Sequence, residues 1–222
     1  SSPEVNLALQ KLIKKMKVPE GIEVKLTGET EDQKESATFL MKALLFSVLL
    51  VLFILITQFN STSKPFIILT EILFSISGVL LGYAIFNIPF SIIMTGMGIV
   101  ALAGIVVRNG ILLVEFTDEL RERGMRTKEA IIQAGKIRIT PIVLTATAAI
   151  LGLIPLCIGF NIDFVGLFRD FAPNIHFGSD SSMFFSSLGW TIIFGLSFAT
   201  FLTLLFIPMM YLMIHVAYIR MT

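Results

Sequence analysis

The stretch SIIMTGMGIVALAGIVVRNGILLVEF, Ser91–Phe116, decides how the rest of the chain is read. It stays apolar for longer than the ~20 residues a helix needs to cross a ~30 Å hydrocarbon core. It nevertheless carries a cation, Arg108, well inside. A charge at that depth costs at least ~2.5–3.5 kcal/mol unless it is paired or faces water, so it marks a candidate functional site. Within the chain, Glu71 at the inner end of another apolar run and Glu115, seven residues on and two turns below, are the available counter-ions. The remaining alternatives are a side chain that snorkels to the interface and a charge cluster completed from outside this chain. The same stretch is rich in small residues, Gly96, Gly98, Ala101, Ala103, Gly104 and Gly110, which let neighbouring helices approach closely.

The composition agrees with lipid as the main solvent. Of 222 residues, 55% are hydrophobic and only 15% charged, and the mean hydropathy is +0.86. Soluble domains carry roughly 25% charged residues, and a chain this short has too little interior to hide so much apolar surface. The fold class expected is an all-α polytopic membrane protein with five transmembrane helices. The spans are placed at about 38–57, 66–86, 91–116, 141–160 and 188–214. QFNSTSKP (Gln58–Pro65) joins the first two, and Asn87–Pro89 the next pair.

Sidedness follows from the Lys/Arg balance of short loops. Thr117–Thr140 carries Arg121, Arg123, Arg126, Lys128, Lys136 and Arg138; Lys64 and Arg220 fall on the same side, which is therefore cytoplasmic. Residues 1–37 and the long connection 161–187 then lie outside. Trp190 is expected at the outer interface, Tyr211 and Tyr218 at the inner one. In the leading segment, Pro3–Lys17 suits one amphipathic helix and Gly21–Gly28 alternates like a half-buried strand. One helix and one strand make no domain, so this short extracytoplasmic α+β segment should dock elsewhere. The chain starts Ser-Ser-Pro, without methionine or signal peptide, and sequence upstream is expected.

Further candidates lie around the fourth span. Pro141 suits a first helical turn. Lys136, Arg138, Thr140, Thr145 and Thr147 read either as an inner anchor with back-bonded threonines or as a polar path from the cytoplasm to the level of Arg108. Thr117–Lys136 reads as a cytoplasmic amphipathic helix with Leu120, Ala130, Ile131 and Ala134 on its apolar side. Cys157 is the lone cysteine, and His176 and His215 lie outside metal-ligand spacing, so no metal site and no cofactor are expected. Gly195-Leu196-Ser197 resembles an intramembrane serine-protease motif but lacks the following glycine and a histidine base; it reads as helix packing, and no enzyme is expected. No nucleic-acid patch is present.

Gly104–Phe116 (GIVVRNGILLVEF), the charged segment after it, Arg138–Leu156 (RITPIVLTATAAILGLIPL), QFNSTSKPF and Gly195–Leu212 (GLSFATFLTLLFIPMMYL) together resemble the C-terminal half of resistance-nodulation-division (RND) inner-membrane transporters. The branch they look closest to is the hydrophobe/amphiphile efflux permeases. The resemblance implies a twelve-span permease, of which this chain supplies the eighth to twelfth spans, with residues 1–37 as the end of a periplasmic porter subdomain. It implies proton-driven export of hydrophobic or amphiphilic compounds. It implies a homotrimer in the inner membrane of a Gram-negative bacterium, with a periplasmic adaptor and an outer-membrane channel as partners. Arg108 and Asn109 match the family's basic residue and asparagine, which face an aspartate pair in the N-terminal half. Arg138 and Thr145 match the other relay positions. Arginine stands where the family usually has lysine, and it keeps its proton, so it would act as a fixed charge. The alternative expectation is a non-transporting five-span scaffold or accessory subunit.

Overall fold

Inside a bilayer every backbone N–H and C=O must be paired within the protein, and a long apolar run meets that condition most directly as a helix. The structure, a computed structural model, describes residues 29–61, 63–162, 175–178 and 180–221. The helix and strand expected within 1–28 lie outside the described residues, as do residues 163–174 of the long connection. Among the described residues there are five helices: α1 (Glu29–Phe59), α2 (Ser63–Phe86), α3 (Ile92–Glu122), α4 (Thr127–Cys157) and α5 (Asp180–Met221). Each contains a segment long and apolar enough to cross a membrane. Between α4 and α5 two three-residue strands, β1 (Phe160–Ile162) and β2 (Ile175–Phe177), pair antiparallel with Phe160 opposite Phe177. The protein is thus an all-α polytopic membrane protein with a minor β ladder.

The helices run further than the apolar stretches that reveal them. Thr117–Lys136 is not one amphipathic helix along the membrane surface. Its first part is the end of α3, its second the start of α4, and the chain reverses between them. Gly124 explains the reversal. It takes the left-handed conformation (φ +92), its N–H donates to the Arg121 carbonyl, and Met125 N–H donates to the Leu120 carbonyl. That pair of bonds is the glycine-terminated Schellman cap. Leu120, Ala130, Ile131 and Ala134 then close on one another in a buried cluster that includes Tyr211 of α5. Pro141 accordingly sits well inside α4, not in a first turn. A proline is tolerated there because neighbouring helices and Ser/Thr side chains compensate the lost bond.

α5 occupies the centre, packed against α2, α3 and α4, while α1 touches α2 and α3. Half of the most apolar stretch of α2 and of α3 is buried, against 6% for α1 and 11% for α4. The two peripheral helices therefore present their hydrophobic side chains outward, among them Phe46, Phe53, Leu144 and Leu151. Small residues bring the central helices together. Gly78 lies against Phe198, Gly82 against Phe194, Gly98 against Thr191, and Gly195 against Leu102 and Val79. One polar knot joins three of these helices. The Tyr83 hydroxyl donates to the Ser187 carbonyl (2.7 Å) and bonds the hydroxyls of Thr191 (3.0 Å) and Thr95 (3.2 Å). Trp190 stacks on Phe194 at 5.4 Å, and Tyr211 is buried.

Candidate functional site

α3 has two faces of different character. Leu102, Val106, Asn109, Gly110, Leu113 and Thr117 are buried against the neighbouring helices. Ala101, Gly104, Arg108 and Glu115 are exposed, at helical spacing, on the other side. Gly104 has no heavy atom within 4 Å of where a Cβ would stand, so this face is open. Arg108 makes no ion pair or hydrogen bond with any described residue. The structure thereby excludes its pairing with Glu71 or Glu115 within this chain. Asn109 is only 4% exposed. Consecutive helical residues are rotated by about 100°, and here that rotation puts the arginine outside and the asparagine inside.

The other two sequence candidates lie on α4. The Arg138 guanidinium stacks over the Phe116 ring of α3 at 4.7 Å, and its buried Nε has no hydrogen-bond partner. The Thr145 hydroxyl donates back to the Ile142 carbonyl at 3.0 Å, as the back-bonded reading expects. α3 and α4 run antiparallel from the Gly124 turn. Arg138 marks the level of Phe116, and seven residues in each helix, about 10 Å, bring Thr145 to the depth of Asn109. Ala146 and Val106 share one buried cluster, in keeping with that register. Arg108, Asn109 and Thr145 thus occupy one depth, with Arg138 nearer the α3–α4 turn. No hydrogen bond links the four.

Two polar groupings go beyond the sequence reading, which named Glu71 only as a counter-ion candidate for Arg108. At the end of the bundle that holds the α3–α4 turn, Lys64 of α2 donates to Asp118 of α3 at 2.7 Å. Asp118 also accepts from the Tyr211 hydroxyl, which accepts in turn from Arg121 at 2.9 Å. Lys64, Asp118 and Arg121 border a cavity of about 610 Å³ shared with Gln58 and Glu115. The second is Glu71. The residue is 4% exposed, and its carboxyl lies against Gly110 of α3, with the Ile207 methyl of α5 beside the same point. The Thr203 hydroxyl faces it but is committed to the Ala199 carbonyl at 2.8 Å, and neither Glu71 oxygen has a hydrogen-bond partner. The spacing Glu71, Ser75, Gly78, Gly82 carries the signal. It is a small and polar stripe on one face of α2, all of it buried. Among the described residues no cluster of three His, Cys, Asp or Glu could hold a metal. Ser197 donates to the Ile193 carbonyl at 2.7 Å, and Gly195 before it serves helix contact.

Comparison with known proteins bears on the whole chain. Residues 1–215 match the profile of the AcrB/AcrD/AcrF family. The swarming motility protein SwrC of Bacillus subtilis is 33% identical over 207 residues, 93% of this chain and 18% of SwrC. The multidrug resistance protein MdtC of Erwinia tasmaniensis is 32% identical over 96% of this chain and 19% of MdtC. The cobalt-zinc-cadmium resistance protein CzcA of Cupriavidus metallidurans is 29% identical over 96% of this chain. The chain therefore spans about a fifth of the length of the relatives it matches. Among solved structures, a heavy metal efflux pump superimposes with a TM-score of 0.71 at 24% identity, over 97% of this chain and 20% of the pump, a likeness of fold.

Proposed function

Because this chain belongs to the AcrB/AcrD/AcrF family, we propose that it forms the C-terminal membrane part of a proton-driven efflux permease for hydrophobic or amphiphilic compounds. One observation carries the reading. Arg108 stands halfway along a membrane-spanning helix, on an open face made of Ala101 and Gly104, with no counter-ion in the described chain. An intramembrane cation so placed calls for acidic groups on the surface that covers it. In this reading those are carboxylates of the N-terminal half of the same permease.

Arg108 keeps its charge throughout, so the variable is the protonation of the carboxylates opposite. Ionised, they hold α3 by a desolvated ion pair. Protonated, they release it, and breaking such a pair one-sidedly is worth about 3–5 kcal/mol, enough to move a packed helix. α3 lies against α1, which leads back to residues 1–37, so a shift of α3 can reach a periplasmic porter region. Arg138 and Thr145 line the proton's way from the cytoplasmic end. The basic residues of the α3–α4 turn support a cytoplasmic placement of that turn, with 1–37 and 161–187 periplasmic in the inner membrane of a Gram-negative cell. A homotrimer with a periplasmic adaptor and an outer-membrane channel belongs to the same reading. Lys42 is the sole charged residue of the 38–57 run, and MdtC bears a multidrug name; both favour organic over metal cargo.

The test is Arg108→Ala in the full-length permease. Transport should be lost with expression and assembly near wild type, and Arg108→Lys should retain part of it. Full transport by Arg108→Ala would overturn the mechanism and favour the scaffold alternative.

A further inference from the structure

Glu71 is a buried carboxyl that the Arg108 mechanism does not use. It lies about 12 Å into α2 from Ser63, enclosed by Gly110 of α3 and by Thr203 and Ile207 of α5. Neither oxygen is hydrogen-bonded. The ionisable side chains in the spans packed around it, Lys42 of α1, Arg108 and Glu115 of α3 and Tyr211 of α5, form no ion pair or hydrogen bond with it. Lys64, on its own helix, is held by Asp118. An ionised carboxylate without a donor in an apolar site is costly, and a bound proton removes that cost. Such a group is neutral only while the helices stay closed around it. Its seal on one side is Gly110, two residues from Arg108 and on the opposite face of α3. Movement of α3 driven from the Arg108 face therefore changes the Glu71–Gly110 contact directly.

We propose that Glu71 is a second proton-binding site of this membrane domain, loaded while α3 is packed on α2 and α5 and emptied when α3 moves. The step is the dissociation of one carboxylic O–H bond. The proton passes to water admitted beside Gly110, and the carboxylate is reprotonated from water on closure. This inference extends the proton-driven reading, but its chemistry can be observed without transport.

The experiment is infrared difference spectroscopy of the full-length permease in lipid nanodiscs, wild type against Glu71→Gln. Glutamine preserves the shape of the side chain but replaces the carboxylic O–H with an amide NH2 that does not titrate. At neutral pH the wild type should show a protonated-carboxyl band that shifts in D2O and is absent from the variant. That band should weaken during turnover with a proton gradient and an amphiphilic dye. A band that is missing at rest would mean an ionised Glu71 and would overturn the proposal. So would a band that stays unchanged during turnover, since Glu71 would then be a neutral packing group. Gly110→Ala, which presses on the carboxyl, should shift the band even if Glu71→Gln expresses poorly. A protein that fails to transport while the resting band and its Gly110→Ala shift survive would indict the transport reading and leave the Glu71 site standing.

Discussion

Replacing Gly98 by alanine tests whether close helix contact holds this domain together. A Cβ at Gly98 would stand 2.8 Å from both Cβ and Cγ2 of Thr191 and 3.3 Å from the Leu188 carbonyl oxygen. Carbon atoms rest at about 3.5–4.0 Å, so α3 and α5 must part locally by roughly 0.7–1.2 Å. Thr191 cannot turn aside. It is β-branched and fully buried, and its hydroxyl is bound to the Ser187 carbonyl at 2.6 Å and to Tyr83 at 3.0 Å. Overpacking of this kind costs about 1–3 kcal/mol, and alanine recovers up to ~1 kcal/mol in helix propensity. With that full offset the net expectation is a loss of up to about 2 kcal/mol, or up to ~30-fold in the folded-to-unfolded ratio. Gly135→Ala is the control, because nothing lies within 4 Å of its Cβ position; it should be neutral or slightly stabilising. Both variants of the full-length permease can be unfolded by SDS in mixed micelles and followed by circular dichroism. If Gly98→Ala proves as stable as Gly135→Ala, the packing argument is wrong.

Tyr83→Phe removes a hydroxyl shared by α2, α3 and α5 yet keeps the ring. Hydrogen bonds between membrane helices average only ~0.6 kcal/mol and reach ~1.7, so the same unfolding assay should show a smaller loss than Gly98→Ala; a larger one would make the polar knot, not the glycine contacts, the dominant link. Lys64→Ala should cost about 0.2–1 kcal/mol, since Lys64 is 26% and Asp118 17% exposed, and less at high salt. Asp118→Ala should cost more, because it also strips the Tyr211 hydroxyl of its acceptor; equal losses would show that the Tyr211–Arg121 part of the network contributes nothing.

The five-helix class was legible because lipid leaves a coarse mark on sequence: five apolar runs can do little else in a small chain. Where the helices stop was less legible. Hydropathy reports the solvent around a residue, whereas a helix continues as long as its backbone bonds are made. α3 runs on through Thr117, Asp118 and Leu120 into charged sequence, and α4 begins at Thr127, before Pro141. The informative residue was Gly124. A glycine amid six arginines and lysines, just past an apolar-periodic stretch, is a helix-ending signal, and its left-handed conformation makes the reversal. The β1–β2 ladder left no comparable mark, since three residues are too few to show alternation.

Of the candidate site, depth was legible and direction was not. Arg108, Asn109 and Thr145 share a level that counting along the helices can find. Which way each points depends on how α3 is rotated against α2 and α5, and the glycines set that rotation. With Gly98 pressed on Thr191 and Gly110 on Glu71, the inward face of α3 is fixed, and Arg108, two residues before Gly110 and rotated away from it, is left outward. Glu71 looked like a counter-ion for Arg108 while only depth was considered. Once rotation is known the two side chains fall on opposite sides of one helix backbone, and a pairing within the chain becomes two separate ionisable positions. The wall between them is α3 itself, the element that has to move if either position is to affect the other.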